Sequence, residues 1–244
     1  MTSSIKIITA IHGRIPVTKA FCMASERIRN NFGIETFAVV TPDNKENIAL
    51  CNEYKVNYIT HRNLPLGRKW NMLVNYMKGI DFTHLLVLGS DDIASDSFIR
   101  NLPTEHDVSG VHDLWFWGLN PKRTGFDTFG YWRGTRGRVG GVGRLISRGI
   151  IEALDFTPWP DDINCRMDGN MKKKIDALDM DVDWHSYSLK DHQSLLLDIK
   201  YEQNISSLSP TLPNTRQERP EDVLYKHIPK EEVDYLMSLR KELV

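Results

Sequence analysis

The first hundred residues alternate between two hydrophobic periods, and no other feature restricts the possible folds as tightly. Ile5 to Ile11 is a strand-length apolar run, Ile-Lys-Ile-Ile-Thr-Ala-Ile. After Pro16, residues Val17, Ala20, Phe21, Ala24 and Ile28 recur at helical spacing, and Gly33 stands where a helix C-terminus favours a left-handed residue. Thr36 to Val40 reads as a second strand, closed by the turn signal Pro42-Asp43-Asn44. A helix from about Lys45 to Tyr54 and a strand around Val56 to Ile59 come next. Leu66, Trp70, Leu73, Val74 and Met77 then outline a further helix, and His84 to Leu88 is a fully apolar strand. Strands separated by helical stretches and short links imply right-handed crossovers. The expectation is an α/β fold, a parallel sheet with helices on both faces.

After about residue 105 the pattern changes. Val108 to Leu119 is strand-like and aromatic, and Thr124 to Gly143 is rich in glycine and arginine. Helices are expected around Ser147–Leu154 and Asn170–Leu178, and short strands near Val182–His185 and Leu195–Ile199. Ser206 to Arg219, with Pro210, Pro213 and then Pro220, reads as an extended surface segment, and a charged amphipathic helix runs from Lys230 to Leu243. No repeat, low-complexity tract or long linker separates independent domains.

Composition removes several function classes. Of the 244 residues, 41% are hydrophobic and 26% charged, which excludes a disordered or collagen-like chain. The 31 basic and 32 acidic residues leave a formal charge of -1, so a globally basic nucleic-acid binder is excluded while a local basic patch is not. The 3 cysteines, Cys22, Cys51 and Cys165, are scattered, with neither zinc-like spacing nor a disulfide framework. The N-terminus runs straight into a strand without a signal-peptide core, and apolar runs such as Leu85-Leu86-Val87-Leu88 fall far short of the ~20 residues of a membrane helix. The expectation is a soluble cytoplasmic protein with no transmembrane segment.

The strongest local signal is Leu85-Leu86-Val87-Leu88-Gly89-Ser90-Asp91-Asp92. It sets two carboxylates just beyond the C-terminal end of a buried strand, the edge where open α/β sheets bind ligands. Like charges buried side by side need a compensating cation. Hard oxygen donors there suit Mg²⁺ or Mn²⁺, shared with a diphosphate. The alternative is that Asp91 and Asp92 cap the next helix, which Ser95 or Asp96 could equally do.

With these residues in place, the chain resembles the GT-A glycosyltransferases, and within them the family 2-like bacterial and phage enzymes. The resemblance rests on an ordered set over roughly residues 5 to 200. Its parts are the opening β-α-β order; Pro65-Leu66-Gly67-Arg68-Lys69-Trp70-Asn71, ahead of the metal strand; Ser90-Asp91-Asp92 as a variant Asp-x-Asp motif; and Gly140-Gly141-Val142-Gly143-Arg144-Leu145-Ile146-Ser147-Arg148, like the glycine-rich turn of the acceptor half. The resemblance implies a GT-A fold with a nucleotide-sugar-binding half over residues 1–105, an acceptor-binding and catalytic half over 106–205, and a C-terminal extension over 206–244. It implies that Asp92 ligates the metal, that Asp91 contacts ribose or donor sugar, that Thr9 and Asp43 line the base pocket, and that Lys69 and Asn71 lie near the nucleotide and diphosphate. The serine in place of the first acid leaves the number of protein ligands to the metal open. His185 and His192 are the late histidines that could add one.

An inverting enzyme of this kind needs a carboxylate to deprotonate the acceptor hydroxyl. The family places it after the glycine-rich turn, near a helix start. Asp168, followed by Gly169 and a helical pattern, fits best, with Asp161 and Asp162 as alternatives. Lys122, Arg123, Arg133, Arg136, Arg138, Arg144 and Arg148 occur with Asp127 as the single acid between them, and aromatic residues from Trp115 to Trp132 are interleaved. Arginine with aromatic rings suits an anionic or stacking acceptor, with Trp132, Arg136 and Arg138 as its contacts.

The implied function is transfer of a sugar from a nucleotide-diphosphate donor, a UDP-sugar, to a saccharide or glycolipid hydroxyl, with Mn²⁺ or Mg²⁺ as cofactor. The alternative acceptor is hydroxymethylated DNA, whose bases would have to be flipped out. Two rivals remain. A nucleotidyltransferase would normally carry a Gly-x-Gly-Thr-Arg-like loop where this chain has Ala10-Ile11-His12-Gly13-Arg14-Ile15-Pro16. A non-catalytic nucleic-acid-binding module leaves Asp91-Asp92 without a purpose.

Overall fold

The computed structural model describes residues 4–119, 129–134, 137–200 and 215–243. The opening β1 (Ile5–Ile11), α1 (Ile15–Phe32), β2 (Thr36–Val40), α2 (Lys45–Glu53), β3 (Asn57–Thr60), α3 (Leu66–Tyr76) and β4 (His84–Val87) follow the expected alternation. These strands are parallel in the order β3-β2-β1-β4. Both faces of β1, β2 and β4 are apolar, as buried parallel strands require. Ile7, Val40 and Leu86 join a core with α1 and α2, whereas Ile8, Val39 and Leu85 pack with Trp70, Leu73, Val74 and Met77 on the opposite face. Pro16 lies in the first turn of α1 and Gly33, at φ 68°, returns its N–H to the Arg29 carbonyl, as expected; Asn44, read from the sequence as part of a turn, also caps α2 with its side chain.

The second half departs from a single sheet. β5 (Asp92–Ala94) and α4 (Asp96–Arg100) follow β4, and Val108 to Leu119 is two strands, β6 (Val108–Val111) and β7 (Asp113–Gly118), broken at His112. Next come β8 (Phe129–Arg133), β9 (Arg144–Ser147), α5 (Arg148–Ala153), α6 (Met167–Asp176), β10 (Trp184–Tyr187), β11 (Leu196–Lys200), β12 (Thr215–Gln217), α7 (Pro220–His227) and α8 (Lys230–Leu243). The central sheet runs β10-β6-β9-β4-β1-β2-β3, with β9 antiparallel to both its neighbours. A second sheet runs β12-β8-β7-β11-β5. The break at His112 carries the chain from one sheet to the other. The Asp113 carboxylate anchors that crossing by accepting hydrogen bonds from Leu189 N, Ser188 Oγ and Tyr131 Oη.

α5 begins on a Ser147 cap, as its sequence indicates, and α6 starts three residues earlier than expected. Val223 and Leu224 of α7 and Val233, Leu236 and Leu239 of α8 join the core that contains α1. Arg27 of α1 makes the polar connection. Its buried guanidinium reaches Glu232 (2.7 Å), the Ala94 carbonyl (2.7 Å) and Asp96. Among the described residues no helix is long and apolar enough to cross a membrane.

Candidate active site

A cleft of about 640 Å³ opens where β1 and β4 end and β5 begins. Asp91, Asp92, Asp198, Arg14, Lys69 and Lys200 all line it. Ser95, not either aspartate, caps α4 by accepting from Phe98 N, so the helix-cap reading of Asp91 and Asp92 does not hold. Asp92 instead opens β5, directly opposite Asp198 of β11 in antiparallel register. Like charges so placed repel. Asp92 accepts a short hydrogen bond from Gly89 N. Burial, then Asp91 and Asp198, push its carboxyl well above the usual carboxylate range.

Two cations meet these acids. Arg14 Nη1 lies 2.6 Å from Asp91 Oδ2, and its Nη2 donates to Ser90 Oγ at 2.9 Å. The Arg14 backbone is left-handed (φ 51°, ψ 42°), a conformation that costs a non-glycine residue about 1 kcal/mol or more and is common at functional sites. Lys200 Nζ lies 2.6 Å from Asp198 Oδ2. Asp198 Oδ1, also buried, has no hydrogen-bond partner.

Lys69 is wholly buried, and its ammonium donates to Ile11 O (2.7 Å), Thr41 Oγ1 (3.1 Å) and Asn63 Oδ1 (3.1 Å), all neutral acceptors. Burial and then the neighbouring Arg14 lower its pKa to about 7. His12 beside it bonds Thr41 Oγ1 at 3.1 Å, and burial, Lys69 and Arg14 hold the imidazole below its ordinary value.

Asp168 enters from the opposite wall, in the first turn of α6, where the helix dipole favours an anion. Its carboxylate occupies the space above Gly141. A Cβ added to Gly141 would fall 1.9 Å from the Asp168 carboxyl carbon, so this close approach requires glycine. Below it, buried Arg144 donates from Nη1 to the Asp168 carbonyl oxygen (3.2 Å) while its Nε stays unpartnered. Asp161 is held outside the cleft by the Asn71 side-chain amide at 2.8 Å, and Asp162 is absent from the lining. Trp70 and Trp159, ring centroids 5.1 Å apart, form an aromatic wall.

Other sequence candidates lie elsewhere. Thr9 sits inside β1, fully buried, and its hydroxyl has no partner. Asp43 is exposed in the turn after β2. Asn71 faces away from the cleft and clamps α3 to the following segment, donating to Trp159 O (2.7 Å) and accepting from Trp159 N. Trp132 and Arg138 are outside the lining, and Arg136 lies outside the described residues. His185 stacks on His106 with centroids 4.1 Å apart, and it lines a separate depression with His112 and His192. Of the arginine-rich stretch, Arg144 is buried, and Arg148 packs over Phe82 and pairs with Glu152. Nothing in the sequence singles out Arg14, whereas Asp198-Ile199-Lys200 resembles a C-terminal element of some members of the GT-A family, in which Lys200 could neutralise phosphate charge but reads from the sequence more simply as a surface lysine. The local signal for Asp198 and Lys200 was an acid and a base at alternate positions of an apolar strand.

Among the described residues, no three His, Cys, Asp or Glu side chains are arranged to hold a metal by themselves. The donor set nevertheless fits a hard divalent ion completed by ligand oxygens. Its acids outnumber Arg14 and Lys200, and Asp198 Oδ1 is an unpaired buried oxygen.

The mostly parallel sheet, the single reversed strand β9 and the acid cluster at the end of β4 define a GT-A-like nucleotide-diphospho-sugar transferase fold. Among solved structures, the chain is similar to the mannosyltransferase PcManGT from Pyrobaculum calidifontis, solved in complex with GDP-Man and Mn²⁺, with TM-score 0.54 and 8% identity over 85% of this chain. It is also similar to the inositol-1-phosphate CTP transferase from T. maritima, with TM-score 0.50 and 10% identity over 100% of both chains. A third similar structure, S. aureus TarS 1-349, has TM-score 0.48 and 12% identity over 75% of this chain. The chain spans 60% of that TarS fragment and 59% of the mannosyltransferase. No family model and no curated protein matches the sequence.

Proposed function

We propose that the chain is a metal-assisted glycosyltransferase that moves a sugar from a nucleoside diphosphate, a UDP-sugar, to a hydroxyl of a saccharide or glycolipid, with inversion. The observation that carries this reading is the convergence of Asp91, Asp92, Asp198, Arg14 and Lys69 on one wall of a cleft and Asp168 on the other. Asp92 and Asp198 would hold Mn²⁺ or Mg²⁺, which when bound supplies positive charge to the leaving diphosphate. Arg14 and Lys69 bind and orient the donor phosphates, and the Trp70–Trp159 wall shields them from water. Asp168 accepts the proton of the acceptor hydroxyl as the new C–O bond forms and the sugar–phosphate bond breaks. The leaving group departs as the nucleoside diphosphate. Thr9, Asp43 and Asn71 then support the nucleotide side of the fold rather than touching its ligand. Trp132, Arg136 and Arg138 remain the proposed acceptor contacts.

Incubation with a panel of nucleotide sugars, with Mn²⁺ or with chelator, is expected to release UDP in a metal-dependent way. Asp168→Asn should lower release by about 10²-fold or more with UDP binding retained, as should Gly141→Ala, which displaces the same carboxylate. Turnover by Asp168→Asn at the wild-type rate would exclude it as the base. Release of pyrophosphate from a nucleoside triphosphate would move the chain to the nucleotidyltransferases.

A further inference from the structure

Lys200 and Asp198 stand two residues apart on β11 and point to the same face of the second sheet, into the cleft. Asp198 Oδ2 is taken by the Lys200 ammonium at 2.6 Å, its Oδ1 is buried and unpartnered, and Asp92 lies across the ladder from it. Arg14 is held at two points, by Asp91 and Ser90, and is a fixed cation. Lys200 ends a flexible four-carbon stem, and the ion pair the structure records for it is with Asp198. A divalent ion that takes both oxygens of Asp198 displaces Lys200 from Oδ2, and one bound at Oδ1 alone sets two positive charges beside the ammonium and repels it from the same carboxylate.

We infer that Lys200 is a placeholder cation, which neutralises Asp198 while the cleft is empty and turns to the donor diphosphate when a divalent ion takes Asp198. The inference rests on the metal-assisted reading above and gives that site an order of events. Divalent-ion binding without nucleotide is weak, because it takes from Lys200 its carboxylate partner while the neighbouring Asp91 is already paired with Arg14. With the diphosphate present, the displaced ammonium gains a partner, so ion and nucleotide bind cooperatively.

The test measures Mn²⁺ binding to the full chain by loss of the free-ion paramagnetic resonance signal, with and without UDP, in the wild type, Lys200→Met and Asp198→Asn. Lys200→Met should bind Mn²⁺ without UDP at least about fivefold more tightly than the wild type and lose most of the UDP-linked gain. Asp198→Asn should weaken binding in both conditions. Mn²⁺ should also raise the melting temperature of Lys200→Met more than that of the wild type, because it re-pairs a buried carboxylate. If Lys200→Met folds only with Mn²⁺, that rescue is the same result. A variant that stays unfolded with Mn²⁺, or one whose Mn²⁺ affinity equals or falls below the wild type's, overturns the inference. In the latter case UDP-linked Mn²⁺ binding by the wild type would leave the proposed function standing, whereas no Mn²⁺ binding in any condition would remove both.

Discussion

At the residue scale the cleft is a problem of charge neutralisation in a partly buried space. Asp92 and Asp198 are both almost fully buried, and burial first and then Asp91 raise both carboxyls, so neighbouring cations are structurally necessary. Lys69 presents the opposite case, a buried ammonium that meets three neutral oxygens and titrates at about 7. A phosphate brought beside it would raise that pKa. At pH 8 the free protein holds this amine mostly neutral, so binding UDP should take up a proton there. At pH 6 the amine is charged in both states and no uptake should occur. Calorimetry of UDP binding in buffers of different ionisation enthalpy measures this directly. Lys69→Met should abolish the pH 8 uptake, and an unchanged uptake would place the linkage on another group.

At the element scale, α8 is tied to the nucleotide half by the buried Arg27 guanidinium and by Tyr235, whose hydroxyl donates to the Pro16 carbonyl at 3.0 Å. Arg27 joins α1 to Glu232 of α8, to the Ala94 carbonyl at the end of β5 and to Asp96 of α4. Burial raises the Glu232 carboxyl and Arg27 opposes that shift. Arg27→Met leaves Glu232 buried without its cation and should cost about 3–5 kcal/mol in urea unfolding, part of which Arg27→Met/Glu232→Leu should recover. A loss under about 1 kcal/mol would mean that α8 docks without a net contribution from this ion pair. The same junction bears on the site, because β5 carries Asp92 at its other end.

For the whole molecule, the question is which acceptor reaches the cleft. The arginine-rich stretch does not form one continuous stripe among the described residues. Arg144 supports Asp168 from below and Arg148 lies on Phe82, which leaves Arg133 and Arg138 exposed. With so few exposed cations of that stretch among the described residues and a net charge of -1, an oligonucleotide should bind weakly. The slope of its log affinity against log salt should be no steeper than about −2. A slope of about −4 or steeper would favour the hydroxymethylated-DNA acceptor over a saccharide.

The parallel half of the fold and the acid pair at its edge were legible in the chain because their determinants are local. Hydrophobic period, the helix C-terminus at Gly33, the Pro42-Asp43-Asn44 turn and the Gly89-Ser90-Asp91-Asp92 turn act over a few residues. The second sheet was not legible, since β5 and β12 are three residues long and are defined by partners far away in sequence. Asp198 and Lys200 became part of the site for that reason. Their strand pairs with β5 and β7, segments about a hundred and about eighty residues earlier, and no local pattern encodes such a pairing. Arg14 likewise reaches Asp91 only because β1 and β4 lie side by side, and the cleft's charge balance therefore depends on how distant strands meet.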